Sequence, residues 1–351
     1  MNTGELRWDL MRGGLITVRG GVITGAGTLA QAESLLPGGP ATVINAHEGF
    51  VIPGFIDVHA HWAGYSDRYP AKSWELETFL AYGVTTLHNP SADTVASFVE
   101  RSRVESGQLI GPRIFSVGDV IYGAGEASIH QDIVDEAEAR SALTRIKAEG
   151  GPGAISYKNY NLPSRGTGST PTHLVNYGGA WGEQLVWATE DIPNDPKLRR
   201  FTRHDQLQAL TESISRPANF AKMVDKGLLT HIGAHGEPPL GLNYHAEMAF
   251  AKQGGLSNYE VLVNTLTVIR AATSSAAETL GLSSSIGSLS RNKLADFIIY
   301  PPGVDILKGD FSDTQNIRFV ARGGRVWYAP TMEEVWPLKA KKQTLPKFNA
   351  D

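Results

Sequence analysis

The chain contains no cysteine. Disulfides, thiolate zinc sites and thiol nucleophiles are therefore excluded, and any metal ion must be held by His, Asp, Glu or a modified Lys. Charge of one sign is also missing: 32 Lys and Arg stand against 36 Asp and Glu, a formal net charge of −4. That balance gives no reason to expect nucleic acid or an anionic membrane as a partner. No apolar run reaches the ~18 residues of a membrane span. The first twenty residues are charged throughout and lack the apolar core of a signal peptide. A cytoplasmic location is the default expectation, and the abrupt start leaves open that the chain is part of something longer. There is no G-x-G-x-x-G after a predicted strand and no P-loop, so a sugar or nucleotide binder has no supporting motif. Glycine, by contrast, is plentiful at 38 of 351 residues, as suits a fold with many tight turns. That length fits one large α/β barrel with extras, or two medium domains.

Taken in order, the chain changes character at Pro53-Gly54. Before it, short strands are predicted over 15–18, 21–24 and 41–46, with an extended piece at 49–52, forming a small antiparallel layer. After it, strands alternate with helices, the pattern of βαβ units and a parallel sheet. Strands are expected over 55–58, 83–87, 112–117 and 154–157, the last delivering Lys158. Helices are expected over 72–82, 92–106 and 132–149, the third burying Ile133, Val134, Leu143 and Ile146. A loop over 161–170, a strand over 172–177, a helix from Thr202 interrupted by Pro217 and a strand over 228–233 follow. One helix over 258–280 carries a Ser257/Glu260 capping box and stops at Gly281. The end is β-type again, with a hairpin around Gly323-Gly324 and a Lys-rich, flexible tail over 338–351.

The chemistry concentrates in Val51-Ile-Pro-Gly-Phe-Ile-Asp-Val-His-Ala-His61. Side chains at i and i+2 of a strand point the same way, so His59 and His61 can converge on one ion at the strand's C-terminal end. Neutral imidazole is a common ligand for zinc and similar ions. Two satisfied histidines would be the bland alternative, and a lone pair would leave it ahead.

Four segments together resemble the amidohydrolase superfamily: the stretch just quoted, Tyr82-Gly-Val-Thr-Thr86, Ile286-Gly-Ser-Leu-Ser-Arg-Asn-Lys-Leu-Ala-Asp-Phe-Ile-Ile299, and Val320-Ala-Arg-Gly-Gly-Arg-Val326. The closer likeness is to an imidazolonepropionase- and prolidase-like branch, some members of which follow a β-propeller in a longer chain. The resemblance implies a (β/α)8 TIM-type barrel over 53–285. It also implies a small β-sandwich built from both chain ends, 1–52 plus 286–330. The implied activity is hydrolysis of amide-type C–N bonds by water activated on Zn2+, with one or two ions and with iron, manganese or nickel equally open. The implied substrate is a small-molecule amide or a short peptide-like compound, and a homo-oligomer is compatible with the family.

Carried over residue by residue, the resemblance makes His59 and His61 metal ligands. Lys158, once carbamylated, becomes a bridging ligand, because a protonated Lys cannot ligate. His235 stands where the family has a general-base Asp and becomes a ligand or base. His88 and His173 are weaker ligand candidates. Glu237, His245 and Glu247 follow the predicted eighth strand on the side where barrel enzymes keep their sites and become substrate contacts, with a helix surface as the alternative for the latter two. Asp296 is expected to buttress the sandwich. The family takes two further histidines from its fifth and sixth strands. Only eleven residues separate Lys158 from Thr170, so these two units are expected to be missing and the barrel incomplete. The alternative is thus a catalytically incomplete paralogue or truncated product acting as a binding or scaffold protein.

Overall fold

The computed structural model describes residues 13–28, 31, 41–64, 70–123, 130–133, 135–160, 224, 229–236, 239–253, 261–307 and 311–337. The predicted loop over 161–170, the strand over 172–177, the helix from Thr202, the place of the two missing units and the 338–351 tail lie outside these residues, as do His173 and Glu237.

The chain opens with an antiparallel hairpin of β1 (Gly14–Arg19) and β2 (Val22–Thr28), longer than predicted. Burial alternates along β2, the mark of a half-buried strand. The strand expected over 41–46 does not form, and Val43 is 77% exposed. The next strand is β3 (Val51–Pro53), followed by β4 (Phe55–Asp57). Helix α1 (Trp74–Ala81) is capped by Ser73, whose hydroxyl accepts from the Leu76 amide at 3.3 Å. Strand β5 (Val84–Asn89) is buried at every position, as a parallel strand covered on both faces should be. Helix α2 (Thr94–Glu105) and strand β6 (Arg113–Ser116) come next, and β4, β5 and β6 make a parallel three-stranded sheet.

Three sequence expectations need correction beyond this point. Residues 132–133, expected to open a helix, belong to a strand. Strand β7 (Val120–Gly123) pairs in parallel with β8 (His130–Ile133), and α3 begins only at Glu136, after an Asp135 cap, running Glu136–Gly150. Its buried face is Ala142 and Ile146, one turn apart against Phe98 and Ile121, while Leu143 is 39% exposed. The strand expected over 154–157 reduces to one parallel bridge, Ser116 to Ala154, with the regular pairing carried by β9 (Asn159–Tyr160) alongside β7.

After α4 (Leu242–Gln253), the single helix expected over 258–280 is two, α5 (Val261–Ala271) and α6 (Ser274–Thr279). The break at Ala272–Thr273 has a cause in the sheet. The Ala272 carbonyl accepts from the Ile56 amide at 2.9 Å and from the Tyr244 hydroxyl at 3.3 Å, so it serves the parallel sheet. Strands β10 (Phe297–Ile299), β11 (Phe319–Arg322), β12 (Arg325–Tyr328) and β13 (Glu333–Trp336) then form an antiparallel sheet in the order β13-β12-β11-β10-β3, so both chain ends supply it. The β1–β2 hairpin joins through Val22 and Leu294 and shares an apolar cluster of Ile23, Phe297, Ile299 and Val326. A larger core of Phe55, Phe79, Tyr82, Leu87, Tyr244 and Phe250 ties the parallel sheet to the helices. Among the described residues no helix is long and apolar enough to cross a membrane.

Asp296 fastens the two β regions together, as expected of it. Its carboxylate accepts from the Arg113 guanidinium at 3.1 and 3.2 Å and from the Gly323 amide at 2.7 Å. Removing one partner of a buried pair strands the other, so Asp296→Ala is expected to cost about 3–5 kcal/mol. Denaturant titration checks this, and an unshifted midpoint would show that the joint contributes nothing.

Candidate metal centre

The sheet brings three histidines from two elements to one point. His59 and His61 follow the C-terminal end of β4. His235 ends the segment 229–235, which lies along the other edge of β4: the Val58 amide donates to the Ile232 carbonyl at 3.4 Å, and the His235 amide to the His59 carbonyl at 2.6 Å. The three rings form a near-equilateral triangle with centroids 4.9–5.1 Å apart. One nitrogen from each lies within 4.8 Å of the others. His235 takes a left-handed φ of 61°, and Gly236 follows at 81°. Such backbone is costly outside glycine, and here it turns the imidazole inward.

Hydrogen bonds fix which nitrogens face inward. Asn89 Oδ1 accepts from the Ser91 amide at 3.1 Å and stands 2.9 Å from His61 Nδ1. That oxygen can only accept, so the ring carries its proton on Nδ1 and leaves a lone pair on Nε2. His59 Nε2 is buried with no hydrogen-bond partner among the described residues. Burial, aided by the neighbouring His61 and His235, pushes the pKa of His59 down to about 2. Burial and His235 push His61 down to about 4, against the bond from Asn89. Both rings are neutral at pH 7, the state that ligates. An orphaned buried nitrogen, a preset tautomer and three convergent neutral imidazoles fit a divalent ion.

Asp57 braces the centre from below. The amides of His59 and Ala234 donate to its Oδ1 at 3.0 and 3.3 Å. Burial raises its pKa to about 7, opposed by those two bonds. Sequence reasoning passed over Asp57 and Asn89. Asp57 had a signal: 57, 59 and 61 share one parity along the strand.

Residues 183–327 match the sequence model of the Amidohydrolase family. Over that segment the chain is similar to that family. Solved structures agree on the fold. The chain is 15% identical to A. niger ochratoxinase, covering 91% of this chain and 92% of that one with a TM-score of 0.61. A Xaa-Pro dipeptidase with bound methionine is 18% identical, with 89% and 94% covered and a TM-score of 0.55. An adenosine deaminase from Xanthomonas campestris with bound zinc is 14% identical, with 91% and 90% covered and a TM-score of 0.55. No curated protein matches.

The other expected site residues are placed unevenly. Lys158 borders the triad, and its charge helps hold both His59 and His61 low. His88 stands behind it: Nδ1 meets the Val58 carbonyl at 3.0 Å and Nε2 the Ser156 hydroxyl at 2.6 Å, so both ring nitrogens are engaged. His245 and Glu247 are fully buried and lie on no helix surface. His245 meets the Tyr82 carbonyl and the Thr314 hydroxyl, each at 2.9 Å, next to Phe55. Phe55 begins β4 and Tyr82 caps α1 just before β5, at the end of the sheet opposite the triad. The Tyr82 carbonyl and the Thr314 hydroxyl occupy both ring nitrogens of His245.

A pocket of about 270 Å³ opens beside the triad, with His61 and Gly236 on one side and Trp62, Trp74, Leu240 and Glu75 around it. Two buried acids hold its rim. Glu75 accepts from the Ala63 amide at 3.1 Å, and Glu100 from the Trp62 indole at 2.8 Å. Burial raises the Glu100 pKa to about 7, with Glu75 adding to the rise. Folding moves this group up from 4.5, so between those values the folded chain keeps a proton that the unfolded chain has lost. Its contribution to stability is therefore complete below 4.5 and disappears as pH climbs to about 7. Glu100→Gln, which cannot ionise, is expected to flatten part of that fall, as denaturant midpoints across this range will read.

Proposed function

We propose that the chain is a metal-dependent hydrolase that cleaves an amide-type C–N bond in a small-molecule substrate. The observation that carries the proposal is the convergence of His59, His61 and His235 around the unpartnered His59 Nε2. His59, His61 and His235 hold the ion, with Lys158 as a further ligand once carbamylated. A divalent ion bound there would supply Lewis-acid polarisation of a carbonyl and a lowered water pKa. Of the two roles expected of His235, its ring nitrogen within the ligand set supports that of ligand. Asn89 keeps His61 in the tautomer that leaves Nε2 free, and Asp57 keeps the His59 strand and the His235 segment in register. Residues 53–285 act as the barrel, with two units fewer than eight, and 1–52 with 286–330 act as the sandwich. Zinc is the favoured ion for an all-imidazole set.

Metal analysis of the purified full chain tests this. Wild type grown with zinc is expected to retain about one ion or more per chain, and Lys158→Ala to lose roughly half or more of it. A folded, metal-free wild type would sink the hydrolase reading and favour the scaffold alternative. Equal metal in both chains would remove Lys158 from the site.

A further inference from the structure

We infer that the pocket beside His61 is a subsite for a neutral, ring-sized apolar group of the substrate, so that the enzyme prefers amides carrying an aromatic or bulky aliphatic substituent next to the scissile bond. The inference rests on the hydrolase reading for the word substrate, but the pocket's chemistry stands on its own residues. Position comes first. The lining residues follow directly on the triad, with Trp62 next to His61 and Leu240 a few residues past Gly236. They lie on the rim where parallel barrels bind ligands. His61 itself forms part of the wall, so a group seated there is one side chain away from the reacting centre.

Size and charge narrow the occupant. A volume of about 270 Å³ lies just under the range typical of drug-sized ligands, enough for one ring with a short arm. Trp62, Trp74 and Leu240 make most of the wall. The one charged lining residue among those described is the carboxylate of Glu75, which the Ala63 amide already engages. An anionic substituent would meet that acid with no cation among the described lining residues to pair it, at the cost of an unpaired buried charge. A neutral apolar group loses nothing there and gains burial.

The wall is also set in advance. The Trp62 indole N–H donates to Glu100 Oε2 at 2.8 Å, and its ring stands edge-on to Phe79 with centroids 6.4 Å apart. A side chain held at both its polar and apolar parts needs no reordering on binding, which favours affinity.

Matched hydroxamates test the assignment, since each pairs a metal-chelating head with a chosen substituent. On the zinc-loaded full chain, benzohydroxamate is expected to bind at least about tenfold more tightly than acetohydroxamate, a modest gain for burying one ring. Succinate monohydroxamate, which is anionic, is expected to bind no better than acetohydroxamate. Trp74→Ala is expected to shrink the phenyl preference to within about threefold, and Trp74→Phe to keep most of it. Equal affinity for the phenyl and methyl compounds in wild type, or an unchanged ratio in Trp74→Ala, overturns the inference. Benzamide and acetamide titrated against the metal-free chain by tryptophan fluorescence separate this outcome from failure of the metal centre. Tighter benzamide binding that Trp74→Ala weakens supports the pocket even if the chain holds no metal. Equal responses to the two amides overturn the pocket whatever the metal content.

Discussion

His59→Ala is expected to strip the chain of its metal while leaving the metal-free fold at least as stable as before. The two halves of this outcome share one cause. His59 Nε2 is buried without a partner, so in the metal-free chain the ring makes no hydrogen bond there to offset the dehydration of that nitrogen. Deleting it removes an unsatisfied polar atom, and the lost packing offsets that gain to within about 1 kcal/mol. With metal present the sign reverses, because a site that loses one of three clustered imidazoles can no longer surround the ion. Metal content is expected to fall below about a tenth of the wild-type value, and hydrolysis by about 10³-fold or more, since both the Lewis acid and the activated water leave with the ion. Elemental analysis, thermal melts with and without zinc, and turnover read the three quantities separately. Wild-type metal content in His59→Ala would remove this nitrogen from the ligand set, whatever happened to activity.

The sequence made some of these residues visible and hid others for definable reasons. His59 and His61 were legible because a strand's period of two is a local rule and both residues obey it. The closing strands were legible through family resemblance, and the change at Pro53-Gly54 through the dipeptide itself. Asp57 obeys the same period, yet a residue that acts through two backbone amides, one of them 177 positions away, leaves no trace in side-chain type alone. Trp62 and Glu100 meet across 38 positions because α2 packs behind the loop after His61. No window of local pattern spans that distance.

The errors have equally concrete origins. His245 and Glu247 come soon after His235, and that proximity suggested the same rim. Both are buried, and His245 lies in α4 against Phe55 and the Tyr82 carbonyl. The 258–280 stretch has helical periodicity throughout, and nothing local reports that the Ala272 carbonyl is recruited by Ile56. Residues 41–46 include the β-branched Thr42, Val43 and Ile44, but the edge beside β10 is taken by β3.

Gly236→Ala tests whether the triad depends on the backbone as much as on its imidazoles. At this position φ is +81°, a region that costs residues bearing a Cβ roughly 1–2 kcal/mol. The larger obstacle is steric. A Cβ built on Gly236 would stand 2.1 Å from the His61 carbonyl oxygen, 2.6 Å from its carbon and 2.7 Å from its nitrogen. These are main-chain atoms that follow directly on β4, so they cannot swing aside as a side-chain tip would. The 235–236 turn must therefore retreat by about an ångström, and the His235 ring retreats with it. The amide bond from His235 to the His59 carbonyl, 2.6 Å in the native turn, stretches at the same time. A displacement of that size at a catalytic site costs on the order of 10²-fold in rate, and loosening a ligand's support costs about 10–100-fold in metal affinity. Both losses are expected in Gly236→Ala, read by chelator competition and by turnover, in a chain whose three histidines are all still present. If the variant holds metal as tightly as wild type, metal binding does not depend on the backbone of this turn.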